Sequence, residues 1–193
     1  WSIFSPVNQN WSTSAAGTGA TQAWPGNGNA IAAFSAGGNA TGAYEVTVHD
    51  TMYVSGLEFN LGDVTLSGYG RANDTIFPVP SNNIFPVYTA PGTTARLQYL
   101  NITPSLTSLG AEGNWTLNKT GSGTLAFDWM RDIEFGLMQC HEGATTVSNQ
   151  GNLDTIRIEV GTAGGATLAL PKTAIRQRPI RPTGPTVNPG GDP

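Results

Sequence analysis

The sequence predicts an all-β protein built from many short strands, and three observations predict it. The stretch Trp115–Phe127 places Leu117 before a Gly121-Ser122-Gly123 turn and Leu125 and Phe127 after it, so apolar residues alternate with small polar ones on both sides of a glycine corner. From Tyr44 the same alternation recurs: Val46 and Val48 between Glu45, Thr47 and His49, then Val54, Leu57 and Phe59, then Val64 and Leu66 before Gly68. The composition agrees. Only 11 % of the 193 residues are charged and 25 are glycine, a balance that suits extended structure with many turns and suits helices poorly. Strand spacing alone leaves a sandwich, a barrel and a β-helix open.

Residues 1–43 read as an entry segment, in which Trp1, Trp11, Trp24 and Phe34 are spaced through small residues and can anchor a strand to a larger core. Residues 44–171 form the β-rich core domain. Within it, Ile76-Phe77-Pro78-Val79 and Ile84-Phe85-Pro86-Val87 echo one another. Each proline removes a ladder donor, so both are expected as edge strands or loop crossings. Arg96–Ile102 resumes the strand signal. Residues 129–142 carry Met130, Ile133, Leu137 and Met138, and Gly136 favours strand or loop over helix there. Ile156, Ile158 and Val160 alternate with Arg157 and Glu159, and Leu168 and Leu170 close the core.

Residues 172–193 differ in kind. The last fifteen hold five of the thirteen prolines, and Lys172, Arg176, Arg178 and Arg181 supply four of the nine basic residues. With one acid, this tail carries +3, which leaves −7 on residues 1–171. The expectation is an extended, PPII-like strap, with Pro182, Pro185, Val187 and Pro189 along it, docked on its own domain or on a neighbouring subunit.

Net charge of −4 argues against nucleic-acid binding. No apolar run is long enough to insert in a membrane as a helix. The chain begins at Trp1, which is expected if a signal peptide or other upstream segment is removed. The single cysteine, Cys140, is expected as a small buried hydrophobe. Six Asn-x-Ser/Thr sequons, at Asn10, Asn39, Asn73, Asn101, Asn114 and Asn118, are candidates for glycosylation and exceed the roughly three that chance gives. They hint at a secreted glycoprotein.

Chemistry is sparse. His49 is expected on a solvated strand face. Cys140-His141-Glu142 has no ligand spacing to match a metal site, and no metal or other cofactor is expected. Asp128, Asp132 and Glu134, with Arg131 between, are the weak catalytic candidates. Asp154, Arg157 and Glu159 are expected to stack one rung later, a pattern that could serve glycoside hydrolysis or lyase chemistry. The ordinary reading is an exposed face with neutralising cross-strand pairs.

Leu117–Leu125, Leu-Asn-Lys-Thr-Gly-Ser-Gly-Thr-Leu, resembles the autotransporter-associated β-strand repeat of bacterial surface proteins, with its Lys-x-Gly-x-Gly-x-Leu signature. Gly143-Ala144-Thr145-Thr146-Val147 and Gly151-Asn152-Leu153 resemble the later parts of that repeat, and Trp11 to Gly68 resembles the entry rungs of such passengers. The likeness covers residues 11–68 and 113–170. It implies a right-handed parallel β-helix-like stack of short strands, carrying the Pro/Gly-rich C-terminal tail, on a cell surface or in the extracellular space; a β-sandwich or jelly roll is the alternative. The function expected is a non-catalytic, adhesin-like subunit of a surface fibre or layer that assembles with itself through its terminal arms. A polysaccharide-binding or polysaccharide-cleaving protein, with Trp115, Trp129 and Tyr99 stacking on sugars, is one alternative; a virion decoration or tail-fibre component is another. Two sequons at its entry, and Lys119 as the one basic residue between Arg96 and Arg131, place the glycine corner at an exposed edge of the stack.

Overall fold

In the computed structural model the described residues are 9–14, 18–34, 42–103, 115–130, 132–148, 152–161 and 166–169, with the backbone alone for Asp132, Glu134, 152–158 and Leu168. They form seventeen strands and no helix: β1 (Trp11–Ser12), β2 (Thr21–Gln22), β3 (Ile31–Phe34), β4 (Ala43–Thr47), β5 (Met52–Val54), β6 (Gly56–Phe59), β7 (Asp63–Ser67), β8 (Thr75–Pro78), β9 (Ile84–Thr89), β10 (Thr94–Gln98), β11 (Asn101–Ile102), β12 (Thr116–Thr120), β13 (Thr124–Asp128), β14 (Asp132–Cys140), β15 (Ala144–Ser148), β16 (Asn152–Val160) and β17 (Thr167–Ala169). Among the described residues, then, no helix is long and apolar enough to cross a membrane.

Apart from the antiparallel pair β1–β2, every pairing is parallel, and successive strands in the chain belong to different ladders. One ladder runs β4, β7, β10, β13, β15, β17. A second runs β3, β6, β9, β12 and continues onto the C-terminal halves of β14 and β16. A third runs β5, β8, β11 and continues onto the N-terminal halves of the same two strands. This is a β-helix-like parallel stack, and each rung takes one strand from each ladder. The jelly-roll alternative required antiparallel sheets and is not what forms. Rungs shorten along the chain: Phe85 lies beside Leu117, 32 residues on, whereas Leu117 lies beside Met138 after 21 and Met138 beside Ile158 after 20.

Alternation decides what fills the interior. Val64 and Leu66 of β7, Ala95 and Leu97 of β10, and Leu125 and Phe127 of β13 stack in register and are all buried. Phe34 stacks on Phe59 with ring centroids 5.0 Å apart. Each rung alone could not hide these side chains; neighbours on both sides do.

The segment expected as an entry arm supplies the cap and the first rung. β3 pairs with β6, and Trp24, Ala32 and Phe34 join the buried cluster. Trp11 meets Trp24 edge-on at 4.7 Å and Phe34 at 5.6 Å, and the Trp24 indole N–H donates to the carbonyl of Tyr53 at 3.1 Å.

Two expectations are corrected. The proline strands are central: β8 lies between β5 and β11, and β9 lies between β6 and β12. Pro86 is tolerated because its ring lies over Gly56, where any Cβ would come within 2.8 Å of the Pro86 Cγ. The glycine opposite makes room, and the lost donor costs one bond of the ladder. The glycine corner, likewise, is not at an edge of the stack, because β12 has β9 on one side and β14 on the other.

Candidate functional site

The corner between β12 and β13 is the most constrained chemistry in the described structure. Lys119, expected at the surface, is fully buried. It points inward because it alternates with Leu117, in a column with Val87 on one side and Cys140 on the other. Its ammonium group donates to the carbonyl oxygens of Gly121, of Glu142 at 2.8 Å, of Gly123 at 3.0 Å and of Thr120 at 3.3 Å. An ammonium has three hydrogens, so four acceptors saturate it. Two rungs are thereby tied together, since Glu142 belongs to the next corner. Burial pushes the Lys119 pKa down to about 8, while the Cys140 and Glu142 charges pull it back up. Burial also raises the Cys140 thiol.

The glycines of this corner are dictated by stacking. A Cβ on Gly121 would lie 2.2 Å from the carbonyl oxygen of Thr89, and one on Gly143 would lie 2.3 Å from that of Gly123. Both also have positive φ, 77° and 66°.

The acidic candidates do not converge. Asp128 ends β13 and is engaged by Arg96, one rung away, and by the hydroxyl of Ser148, on the rung beyond. That is the neutralising cross-strand pair of an outer face. Asp132 and Glu134 lie on β14, in another ladder; the register sets Asp132 between Asn101 and Asn152 and Glu134 beside Asp154. Asp154, Arg157 and Glu159 do fall one rung later, beside Glu134, Leu137 and Gln139. Arg131 lies outside the described residues. Cys140, His141 and Glu142 do not form a cluster either: Cys140 is buried and the other two are exposed. Among the described residues no group of His, Cys, Asp and Glu is placed to hold a metal ion. A shallow cavity of about 410 Å³ lies against Gln139, Cys140, His141, Glu159, Val160 and Gly161, at the far end of the stack.

Of the sequon asparagines, Asn10 and Asn73 are exposed. Asn101 is buried, and its Nδ2, the atom a glycan would need, donates to the carbonyls of Arg71 and Ala72 and to the Thr75 hydroxyl. Asn118 is half-buried in the middle of β12. Asn39, Asn114 and the whole tail (Lys172, Arg176, Arg178, Arg181, Pro182, Pro185, Val187 and Pro189) lie outside the described residues.

The corner that follows β7, β10 and β13 went unread as a unit in the sequence. Ser67, Gln98 and Asp128 end these strands in register. Tyr69, Tyr99 and Trp129 come directly after them and are 63 %, 43 % and 46 % exposed. Tyr99 and Trp129 have φ of 56° and 53°, a left-handed backbone that bulky residues adopt at a cost of about 1–3 kcal/mol each. Tyr69 is held from below by the His49 ring at 4.9 Å and flanked by the Arg71 guanidinium 5.5 Å from its centroid. Its loop is pinned by Asp74, whose carboxylate accepts from the backbone N–H of Tyr69 at 2.7 Å and of Arg71 at 2.9 Å. Trp115, the third aromatic expected to stack on sugar, instead packs against the core.

Comparison of the chain with protein-family models, with curated proteins and with solved structures finds no match.

Proposed function

We propose that this chain is a non-catalytic structural protein of the extracellular surface, an adhesin-like subunit of a fibre or layer that joins end to end through its terminal arms, in the manner of passenger-type β-helix proteins. The observation that carries this reading is the difference between the two ends of the stack. The first rung is roofed by Trp11 and Trp24. At the other end Val160 continues the inward column of Lys119 and Cys140 yet is 42 % exposed. Among the described residues β16 pairs with β14 alone and β17 with β15 alone. An unpaired strand edge beside an uncovered apolar column accepts a partner's extended segment through main-chain hydrogen bonds. The basic, proline-rich stretch 172–193 has the charge to meet a body of −7 and the prolines to bind as a strap rather than as a central strand.

Deletion of residues 179–193 tests this directly. The expected product is a folded monomer with an unchanged melting temperature and no polymers by sedimentation or electron microscopy. Polymers of normal length from the truncated chain, or a full-length chain that stays monomeric at high concentration, would sink the reading.

A further inference from the structure

We infer that the corner carrying Tyr69, Tyr99 and Trp129 is a binding strip for a neutral, β-linked polysaccharide chain that runs along the axis of the stack. Three facts point there. First, three large side chains that water reaches occur on three consecutive rungs of one corner, immediately beyond the aligned residues Ser67, Gln98 and Asp128. Rungs of a parallel stack repeat at about 4.8 Å, which is close to the advance per residue of an extended β-linked pyranose chain, so one ring is offered per sugar. The aromatic face meets the C–H face of a pyranose, and the hydroxyls at the sugar's rim are left for polar neighbours.

Second, the rings are held out at a cost. Glycine would occupy the positive-φ positions of Tyr99 and Trp129 without strain, yet bulky aromatics stand there. At the equivalent place one rung earlier the chain does use glycine, Gly68, where a Cβ would lie 2.5 Å from the carbonyl oxygen of Tyr99. The aromatic side chains are therefore not what the turn requires. Tyr69 is fixed by His49, Arg71 and the Asp74-pinned loop, so little freedom is lost on binding.

Third, the nearby charge is already spoken for. Arg96 is paired with Asp128, and Arg71 lies over Tyr69. The strip offers stacking and neutral hydrogen-bonding groups such as Gln98, which selects an uncharged glycan over an acidic one. This inference does not depend on end-to-end assembly, since the strip lies on the flank of the stack.

The test titrates the full chain with cellohexaose and with chitohexaose, followed by tryptophan fluorescence and calorimetry. At least one hexaose is expected to bind at or below millimolar concentration. Trp129→Gly and Tyr99→Gly should each weaken binding about tenfold, and the double variant should abolish it, while the melting temperature holds or rises because glycine relieves the backbone. Tyr69→Ala, at the most exposed of the three positions, should weaken binding equally and decides the matter if either glycine variant melts lower. Ile84→Ala, exposed on β9, should change nothing. Failure of both hexaoses to bind, or binding that survives Trp129→Gly with Tyr99→Gly, overturns the inference. So does a concentration-dependent dimer, lost in the double variant, with no hexaose bound; the strip then belongs to a second copy of the chain.

Discussion

The two ends of the stack solve the same problem differently. Ala32 and Val160 occupy the first and last described positions of one inward column, with Leu57, Val87, Lys119 and Cys140 between them. Ala32 is 0 % exposed and Val160 is 42 % exposed. The first rung is closed by an indole pair whose N–H group also satisfies a buried carbonyl. The last rung ends in an apolar side chain open to solvent, and no ring roofs it among the described residues. A solenoid needs a terminus on each side that either resists pairing or invites it. Here one terminus is hydrophobic and covered, and the other is hydrophobic and available.

The sharpest way to break this contrast is to take off the roof. Trp24→Ala leaves a large void over the first rung, and the expected loss is about 3–5 kcal/mol by urea denaturation. If the loss is under about 1 kcal/mol, the indole pair is decoration and the two ends are not different in kind.

The middle of the same column gives the next largest effect. Lys119→Met keeps the side-chain length and strips four carbonyls of their donor, for an expected loss of about 3 kcal/mol. Its pH dependence has a definite sign. The Lys119 pKa is about 8 in the folded chain against 10.5 ordinarily, so between those values the unfolded chain holds the proton and the folded chain does not, and stability from this residue rises with pH across that window. Cys140 acts oppositely: its pKa is raised above 9.0, so its contribution is complete below pH 9 and declines above it. Cys140→Ala should therefore expose an uninterrupted rise in denaturation midpoint from pH 8 to 10.5, and Lys119→Met should remove that rise. A flat profile in Cys140→Ala contradicts this assignment.

The smallest effect on stability falls at the open end. Val160→Lys should shift the folding free energy by no more than about 0.5 kcal/mol, because the side chain is already in water. It should nonetheless block end-to-end association in sedimentation. If association persists, the open end is not where subunits meet.

Much of the fold was legible because alternation is local: Val64 and Leu66, or Leu125 and Phe127, announce their own strand. Parallel pairing was legible only through the likeness of the Lys-x-Gly-x-Gly corner to a known repeat, because the partner of each strand lies 20 to 32 residues away. The corner itself was misjudged for a physical reason. A lone lysine among uncharged residues reads as surface, and nothing local says that four carbonyls converge on it. Pro86 was misjudged in the same way, since the glycine that accommodates it, Gly56, lies on another rung. Tyr99 and Trp129 were noticed singly as sugar-stacking candidates. Their alignment with Tyr69 on one edge follows from register, which the sequence does not print.

The shortening of the rungs bears on how such a chain is made. From Leu117 onward the coil closes in steps of 20 or 21 residues: Leu125 to Thr145, Ile133 to Leu153, Met138 to Ile158. Each of these steps spends almost nothing on loops. A tandem duplication of about sixty base pairs anywhere in this half would therefore insert one complete turn, in frame and in phase, and lengthen the molecule by about 4.8 Å without disturbing its neighbours. The earlier half, with its 30- and 32-residue steps, tolerates no such simple currency of growth. The C-terminal half is the part of this gene where length can change by copying error alone.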